Sequence, residues 1–313
     1  GNVPPSRFLP MMPQPEDKSL ATVFPFAGQV LDETPMTLGE GPTFDAATGT
    51  AWWFNIKGQE LHELHLESGR KTVHALPFLG SVLAVIDPAR QLIASDQGLF
   101  VRDTRTGALS LLATLEDKPI NRSNDGRVHA SGSLWIGTMG RSAEKGSGAI
   151  YHIAGTRVTK LYDAITIPNS ICFSPDGTVA YFVDTDINHL MRVDIDAETG
   201  LPKGEPSLLV DGSGEAGGID GSVCDADGLI WNARWGMGAV DRYDASGNHI
   251  ERYLVPAGQT TCPAFIGPDA SRLLVTSARE NLDDDAIAAN PQHGKTFELG
   301  IEVKGRFEPL YRL

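Results

Sequence analysis

Four polar residues with metal-ligating side chains recur at one fixed place in a repeated pattern: Glu40, Asp125, Asn169 and Asp220. Each lies four residues before the start of a segment that runs from apolar residues into a turn. Carboxylate and amide oxygens without histidine are the ligands that Ca²⁺, Mg²⁺ and Mn²⁺ prefer in proteins. Brought together, these residues would form a site for a hard divalent cation.

The repeated pattern indicates how these residues could meet. Its six segments begin at Phe44, Ile86, His129, Phe173, Cys224 and Ile266. Successive starts are 42, 43, 44, 51 and 42 residues apart, which is close to the length of one β-propeller blade. Equivalent positions of successive blades are related by rotation about a central axis. Residues at one shared offset are therefore predicted to form a ring around that axis.

Each repeat is typical of short strands joined by tight turns. In the fourth repeat, SICFSP leads through Asp176 and Gly177 into TVAYFVDT, and the fifth uses Asp227 and Gly228 in the same way. Asp-Gly between β-rich runs favours a hairpin, because glycine accepts the positive φ of the turn. We therefore predict an all-β, six-bladed β-propeller with a central metal-binding tunnel. A short helix is predicted within residues 281–290.

The two ends of the chain are predicted to close the propeller. Residues 1–22 are rich in proline and are predicted to be an extended segment, whereas residues 23–313 are predicted to form a single propeller domain. Closure normally combines strands from both termini in one blade, which removes an exposed sheet edge. The stretch ATVFPFAGQVLDET is the candidate to complete the last blade, beside FELGIEV and FEPLYRL.

Composition excludes some classes of partner. The net charge of −14 argues against nucleic acid or an anionic membrane as a partner. No apolar run approaches the roughly 18–20 residues that a membrane-spanning helix needs. Three cysteines without a CxxC spacing predict free thiols, and together with the absence of a secretory signal they favour the cytoplasm. The oligomeric state stays open.

The residues at the shared offset differ in how strongly they indicate a ligand. The six positions are Glu40, Val82, Asp125, Asn169, Asp220 and Cys262. A single Asn or Asp at the start of a strand is usually a turn former. Several oxygen-bearing side chains at one offset make a cation site the stronger interpretation.

Four segments carry a resemblance to a known family: LGEGP, RSNDGRVHASGSLWIGTM, IPNSICFSPDG and GIDGSVCDADGLIW. In this order they resemble the SMP-30/gluconolactonase/regucalcin-like family over nearly the whole chain. The resemblance implies a six-bladed propeller with one divalent cation in its tunnel, held by Glu40, Asn169 and Asp220. It also implies hydrolysis of a sugar lactone, with Arg122 and Asn124 as the residues that bind the substrate.

The residue types suit that chemistry. A bound cation can polarise a lactone carbonyl, and Asp220 is the candidate general base for the attacking water. Arg122 offers a rigid fork of donors, while Asn124 can both donate and accept hydrogen bonds from sugar hydroxyls. Asp125 is expected to support the site without binding the cation directly. We expect Ca²⁺, with Zn²⁺, Mg²⁺ and Mn²⁺ as alternatives.

One departure from the family concerns the segment after GTM. Some members carry an acidic residue there that helps to bind the sugar, whereas this chain has Arg141 and Ser142, with Glu144 slightly later. A cationic side chain at that rim predicts a preference for an acidic sugar lactone.

Two other functions stay open. One is an organophosphate hydrolase of the diisopropyl-fluorophosphatase type, because a Lewis acid beside a carboxylate also suits phosphoryl centres. The other is a Ca²⁺-binding propeller without catalytic turnover. Arg122 and Asn124 favour the lactonase, since a structural ion does not need a pair of sugar-binding residues beside it.

Overall fold

The structure of the protein is a computed structural model that describes residues 21–313. The predicted extended segment, residues 1–22, lies outside the described residues except for its last two positions. The described part contains 25 strands and the six-residue helix α1 (Asp284–Ala289), which lies within the predicted helical stretch. Within residues 21–313, no helix is long and apolar enough to cross a membrane.

Most strands form six antiparallel sheets, which we number as blades in chain order. Blade 1 contains β3 (Gly39–Asp45), β4 (Thr50–Asn55), β5 (Glu60–His65) and β6 (Lys71–Ala75). Blade 2 contains β7 (Gly80–Asp87), β8 (Arg90–Ser95), β9 (Gly98–Asp103) and β10 (Leu109–Ala113). Blade 3 contains β11 (Asn121–Val128), β12 (Leu134–Gly140), β13 (Gly148–Ala154) and β14 (Arg157–Ile165).

The second half of the chain repeats the arrangement. Blade 4 contains β15 (Pro168–Phe173), β16 (Val179–Asp184), β17 (His189–Asp194) and β18 (Ser207–Asp211). Blade 5 contains β19 (Gly218–Cys224), β20 (Ile230–Trp235), β21 (Ala239–Tyr243) and β22 (His249–Leu254). Blade 6 contains β23 (Thr260–Ile266), β24 (Arg272–Ser277) and β25 (Thr296–Leu299).

Strands from the N-terminal region complete the last two blades. Strand β2 (Gln29–Asp32) pairs antiparallel with β25 and becomes the fourth strand of blade 6. Strand β1 (Thr22–Phe24) pairs parallel with β22 and adds a fifth strand to blade 5. The prediction that FEPLYRL lies in the last blade is wrong, because residues 307–313 contain no strand and bond to other blades.

The innermost strands close into a ring. β3, β7, β11, β15, β19 and β23 each contact the next one in this order, and β23 contacts β3. The fold is therefore the predicted six-bladed β-propeller. β11 is buried along its whole length, because its two faces pack against the innermost strands of blades 2 and 4 while one edge pairs with β12.

The apolar core lies between neighbouring blades. Trp135 of β12 is fully buried, with its ring 5.5 Å from that of Phe173 and 6.5 Å from that of Phe182 in blade 4. Outer strands such as β6 and β18 expose most of their side chains. The predicted Asp-Gly turns are also present, with φ of 74° at Gly177 and 81° at Gly228.

Candidate metal centre and substrate-binding residues

A break in strand pairing lies near the start of every innermost strand. In β11 the pairing with β12 is interrupted between Ser123 and Gly126, so that Asn124 and Asp125 are unpaired. Similar breaks follow Glu40 in β3 and Asn169 in β15, and Asp220 lies within the break of β19. A bulge leaves a residue out of the ladder and redirects its side chain. The predicted site residues therefore lie at corresponding, locally irregular positions.

The amide of Asn169 has a defined orientation. Its Nδ2 donates to Thr185 Oγ1 at 2.9 Å, and that hydroxyl donates to the carbonyl of Ile219 at 2.7 Å. Its Oδ1 accepts from Asn124 Nδ2 at 3.0 Å. The Asn124 amide is fixed in turn, since its Oδ1 accepts from Arg122 and its Nδ2 donates to the carbonyl of Pro168.

This orientation places two oxygens face to face. Asn169 Oδ1 lies 3.1 Å from Asp220 Oδ1. Turning the amide over would let it donate to Asp220 and to the Pro168 carbonyl, each at 3.1 Å, but its NH₂ would then face the NH₂ of Asn124 at 3.0 Å. The hydrogen bond from Asn124 therefore favours the orientation in which the two oxygens face one another. Two oxygens at this distance repel each other unless a cation or a proton lies beside them, so the pair fits a bound cation.

Three buried carboxyl groups share this end of the tunnel: Glu40, Asp125 and Asp220. The carboxyl groups of Glu40 and Asp220 are neighbours and can form a hydrogen bond only when one of them holds a proton. Burial raises the pKa of Glu40, and burial together with the charge of Glu40 raises the pKa of Asp220 well above its usual range. Burial also raises the pKa of Asp125 to about 7. A divalent cation would favour the ionised forms of all three.

Cys262 brings a sulfur atom to the same centre. Glu40, Asp125 and Cys262 each offer a potential ligand atom, and these three atoms lie within 4.8 Å of one another. Burial raises the pKa of the Cys262 thiol well above its usual range, so the neutral thiol is favoured. The available oxygens therefore still favour a hard cation. The shared offset already contained Cys262, but sequence reasoning did not count it as part of the site.

Asp125 is connected to the next blade through its backbone. Its Oδ2 accepts a hydrogen bond from the Ile171 amide of β15 at 2.7 Å. One carboxylate oxygen is thus engaged by blade 4, next to Asn169. The supporting role of Asp125 stays a prediction, and the proximity to Glu40 and Cys262 places the residue at the centre itself.

Arg122 is buried beside these residues and lacks a full set of partners. Its Nη1 donates to Asn124 Oδ1 and to the carbonyl of Ser123, both at 3.0 Å. Its Nε has no hydrogen-bond partner among residues 21–313. Burial lowers the pKa of Arg122, which the carboxylates of Glu280 and Glu40 oppose. A buried donor without a partner is costly, so an acceptor on a ligand would satisfy it.

Arg122 also lines a small polar cavity of about 70 Å³ that sequence reasoning did not predict. Side chains from blades 2 and 3 surround it, among them Asp96, Asn121 and Thr138. Arg141 lies close by, but its Nη2 donates to Asp96 at 2.6 Å. The cationic side chain at the rim therefore has an acidic partner, and a preference for an acidic sugar lactone stays a prediction.

Thr185 is a further residue that the repeat did not reveal. It follows β16 and lies outside the shared offset, yet it holds the Asn169 amide through the hydrogen bonds described above. Its only sequence signal is a hydroxyl at the end of a second strand in the blade that contributes Asn169.

Comparison with known proteins gives this geometry a family. Residues 38–279 match the SMP-30/Gluconolactonase/LRE-like region. A Rhizobium meliloti (strain 1021) protein named "Putative sugar lactone lactonase" is 70% identical, over 94% of this chain and 100% of its own length. The L-arabinolactonase of Azospirillum brasilense is 34% identical, over 87% of this chain and 91% of its own length.

Solved structures agree with the sequence match. The crystal structure of a calcium-binding protein, regucalcin, from Agrobacterium tumefaciens str. C58 superposes with a TM-score of 0.93. Its sequence is 76% identical, and the match covers 94% of this chain and 100% of that chain. The resemblance predicted from the four motifs is confirmed. This chain belongs to the SMP-30/gluconolactonase/LRE-like family.

Proposed function

We propose that this protein is a hydrolase that opens a sugar lactone to its sugar acid with the help of one divalent cation. The observation that carries the proposal is the cluster of buried oxygen donors from Glu40, Asn169 and Asp220 beside the buried and incompletely paired Arg122. Relatives named L-arabinolactonase and 6-deoxy-6-sulfogluconolactonase support a sugar lactone as the substrate class.

Glu40, Asn169 and Asp220 would hold the cation. Their oxygens suit Ca²⁺, and the similar protein from Agrobacterium is described as calcium-binding. Zn²⁺, Mg²⁺ and Mn²⁺ stay as alternatives, and Cys262 at the same centre adds a softer donor. Once bound, the cation would polarise the lactone carbonyl and stabilise negative charge on its oxygen.

Asp220 would act as the general base. In its ionised form it accepts a proton from water while the water oxygen attacks the lactone carbonyl carbon. The ring C–O bond then breaks, and the proton passes to the departing ring oxygen, which becomes a hydroxyl of the sugar acid. Its neighbour Glu40 would carry the remaining negative charge of the pair.

Arg122 and Asn124 would position the sugar. The free Nε of Arg122 can donate to a hydroxyl or carbonyl oxygen of the substrate. Asn124 connects this arginine to the centre, since it contacts both Arg122 and Asn169. Asp125 would support them through its bond to the Ile171 amide. Substrate orientation and cation binding are thereby coupled through one hydrogen-bonded row.

A panel of lactones tests this proposal. Acid release from L-arabinolactone, gluconolactone and an aldarate lactone is followed by pH indicator, with and without chelator. We expect turnover on at least one sugar lactone, loss of turnover with chelator, and a loss of about 10²-fold or more in Asp220→Asn. Asp269→Asn, which changes an exposed turn aspartate, is the matched control and should behave as the wild type.

The same panel separates the alternatives. Bound Ca²⁺ without turnover on any lactone would favour the non-catalytic calcium-binding propeller, for which the name of the Agrobacterium protein is the supporting observation. Adding a fluorophosphate ester tests the organophosphate-hydrolase alternative.

The cytoplasm is the proposed location, because Cys172, Cys224 and Cys262 are free thiols.

A further inference from the structure

The C-terminal segment, residues 303–312, runs across the end of the tunnel opposite the candidate metal centre. The centre lies near the starts of the innermost strands, whereas the segment bonds to positions at or beyond their ends. Its backbone bonds reach blade 6 at Ala270 and Ser271, blade 5 at Ala226, blade 2 at Val85 and blade 3 at Gly132, all between 2.8 and 3.0 Å. The segment therefore ties four blades together across this face.

Arg127 spans the tunnel between the segment and the centre. It arises from β11 in blade 3, yet its Nε donates to the carbonyl of Ile171 in blade 4 at 3.3 Å. Its Nη2 donates to the carbonyl of Ser222 in blade 5 at 2.9 Å. Its Nη1 donates to Glu308 Oε1 of the C-terminal segment at 2.7 Å. Glu308 is thus the carboxylate that contacts this buried guanidinium.

A cavity of about 300 Å³ lies between the segment and blades 1 to 3. Phe307 and Leu310 of the segment form part of its wall, together with Val82 of blade 2. At its inner end the cavity reaches Asp125 and Cys262, which belong to the centre. The cavity already borders solvent past the exposed side chains of Phe307 and Leu310, so displacing the segment would widen this path from solvent to the centre.

We propose that the C-terminal segment closes this end of the tunnel and that Glu308 is the positioning residue that holds the segment in place. The Glu308–Arg127 ion pair holds the segment in place and compensates the guanidinium charge below the three carboxyl groups. The substrate then reaches the centre from one side only. The part of this inference that concerns cation affinity rests on the proposed function, whereas the closure of the tunnel by the segment does not.

Replacing Glu308 by glutamine should weaken the attachment of the segment without altering the ring of innermost strands. Arg127 would keep its two bonds to backbone carbonyls but lose its charged partner, and an unpaired buried charge is strongly unfavourable. The loss of the Glu308 charge would also make the surroundings of the centre more positive and so oppose a cation there, because charges interact more strongly in the interior than in water.

The experiment measures how fast N-ethylmaleimide modifies Cys262 in the native full chain, read by peptide mass spectrometry. We expect Glu308→Gln to raise this rate by about tenfold or more, because the segment opens more often. Glu308→Asp keeps the charge and should label more slowly than Glu308→Gln. Lys304→Gln, which removes the exposed pair with Asp227 in the same segment, should label as the wild type does.

Calorimetric titration with Ca²⁺ gives the second readout. We expect Glu308→Gln to bind Ca²⁺ several-fold more weakly, with wild-type affinity in Lys304→Gln. Wild-type labelling of Cys262 in Glu308→Gln, or equally fast labelling in Lys304→Gln, would contradict the proposal that Glu308 holds the segment across the tunnel. If the wild type binds no Ca²⁺, the proposed cation site fails. The labelling rates alone then decide whether the segment closes this end of the tunnel.

Discussion

Asn169 shows how single hydrogen bonds can prepare a site for a cation. Thr185 accepts from its NH₂ and Asn124 donates to its oxygen, so the oxygen is left facing Asp220. Outer partners of this kind orient metal ligands and tune their affinity. The arrangement is unfavourable for two oxygens alone and becomes favourable with a cation, which ties the residue geometry to the proposed function.

At the same scale, Asp125 predicts how pH affects the cation-free protein. Burial raises its pKa from 3.8 to about 7, although the Arg127 charge opposes the shift. The folded protein therefore holds a proton that the unfolded chain releases above pH 3.8. This contribution to stability is complete below the unfolded pKa and is lost as the pH rises through about 7. The loss is on the order of 4 kcal/mol.

Urea unfolding of chelator-treated protein at pH 5 and pH 8 checks this prediction. Asp125→Asn should reduce the difference in unfolding free energy between the two pH values, while Glu40 and Asp220, whose pKa values burial also raises, account for the rest. Asp117→Asn, which alters an exposed aspartate, should leave that difference unchanged. A wild-type difference that persists fully in Asp125→Asn would show that Asp125 is not responsible.

At the residue scale, the sequence predicted most residues of the candidate site but not those that support them. One shared offset identified Glu40, Asp125, Asn169 and Asp220, because blades repeat by rotation. The same offset held Cys262, whose apolar character hid its position beside two carboxyl groups. Thr185 has no counterpart in the repeat, since its role depends on where the loop after β16 runs.

Among the elements, the bulges of the innermost strands have the clearest functional consequence. A regular strand alternates its side chains between two faces, which in these innermost strands meet the two neighbouring blades. The pairing breaks in β11 and β19 free Asn124, Asp125 and Asp220 from that alternation. Bulge positions depend on cross-strand register, which explains why the repeat period predicted the blades without predicting the exact contacts.

Blade 5 contains a buried network of charged side chains that stabilises the pairing of β21 with β22. Asp241 of β21 is fully buried and accepts from Arg252 of β22 at 2.7 and 2.9 Å. Burial disfavours its charge, but hydrogen bonds from Arg252 and His249 outweigh burial and hold the pKa of Asp241 below its usual value. Its stabilising contribution is therefore present above that usual value and is lost as the pH falls.

We expect Asp241→Asn to lower the unfolding free energy at pH 7 by about 3–5 kcal/mol, because it leaves Arg252 without a charged partner. Guanidinium chloride unfolding measures the change. Asp194→Asn breaks an exposed pair with Arg192 and should change the free energy by about 0.5 kcal/mol or less. Equal effects of the two substitutions would contradict the assigned importance of burial.

For the whole molecule, repeat period predicted the architecture but not how the chain ends are used. Six spans of similar length require six blades, and closure by an N-terminal strand follows from the need to remove a free edge. The parallel pairing of β1 with β22 and the path of residues 303–312 depend on contacts between distant parts of the chain. Neither leaves a local sequence signal.

The direct test of the central claim is to titrate metal-free protein with Ca²⁺ while recording occupancy and lactone opening in the same sample. The proposed function predicts a rate that rises in parallel with occupancy and saturates at one cation per chain, with Asp220→Asn showing no comparable rise. Full turnover in the metal-free protein, or full occupancy without turnover on any lactone, would contradict it.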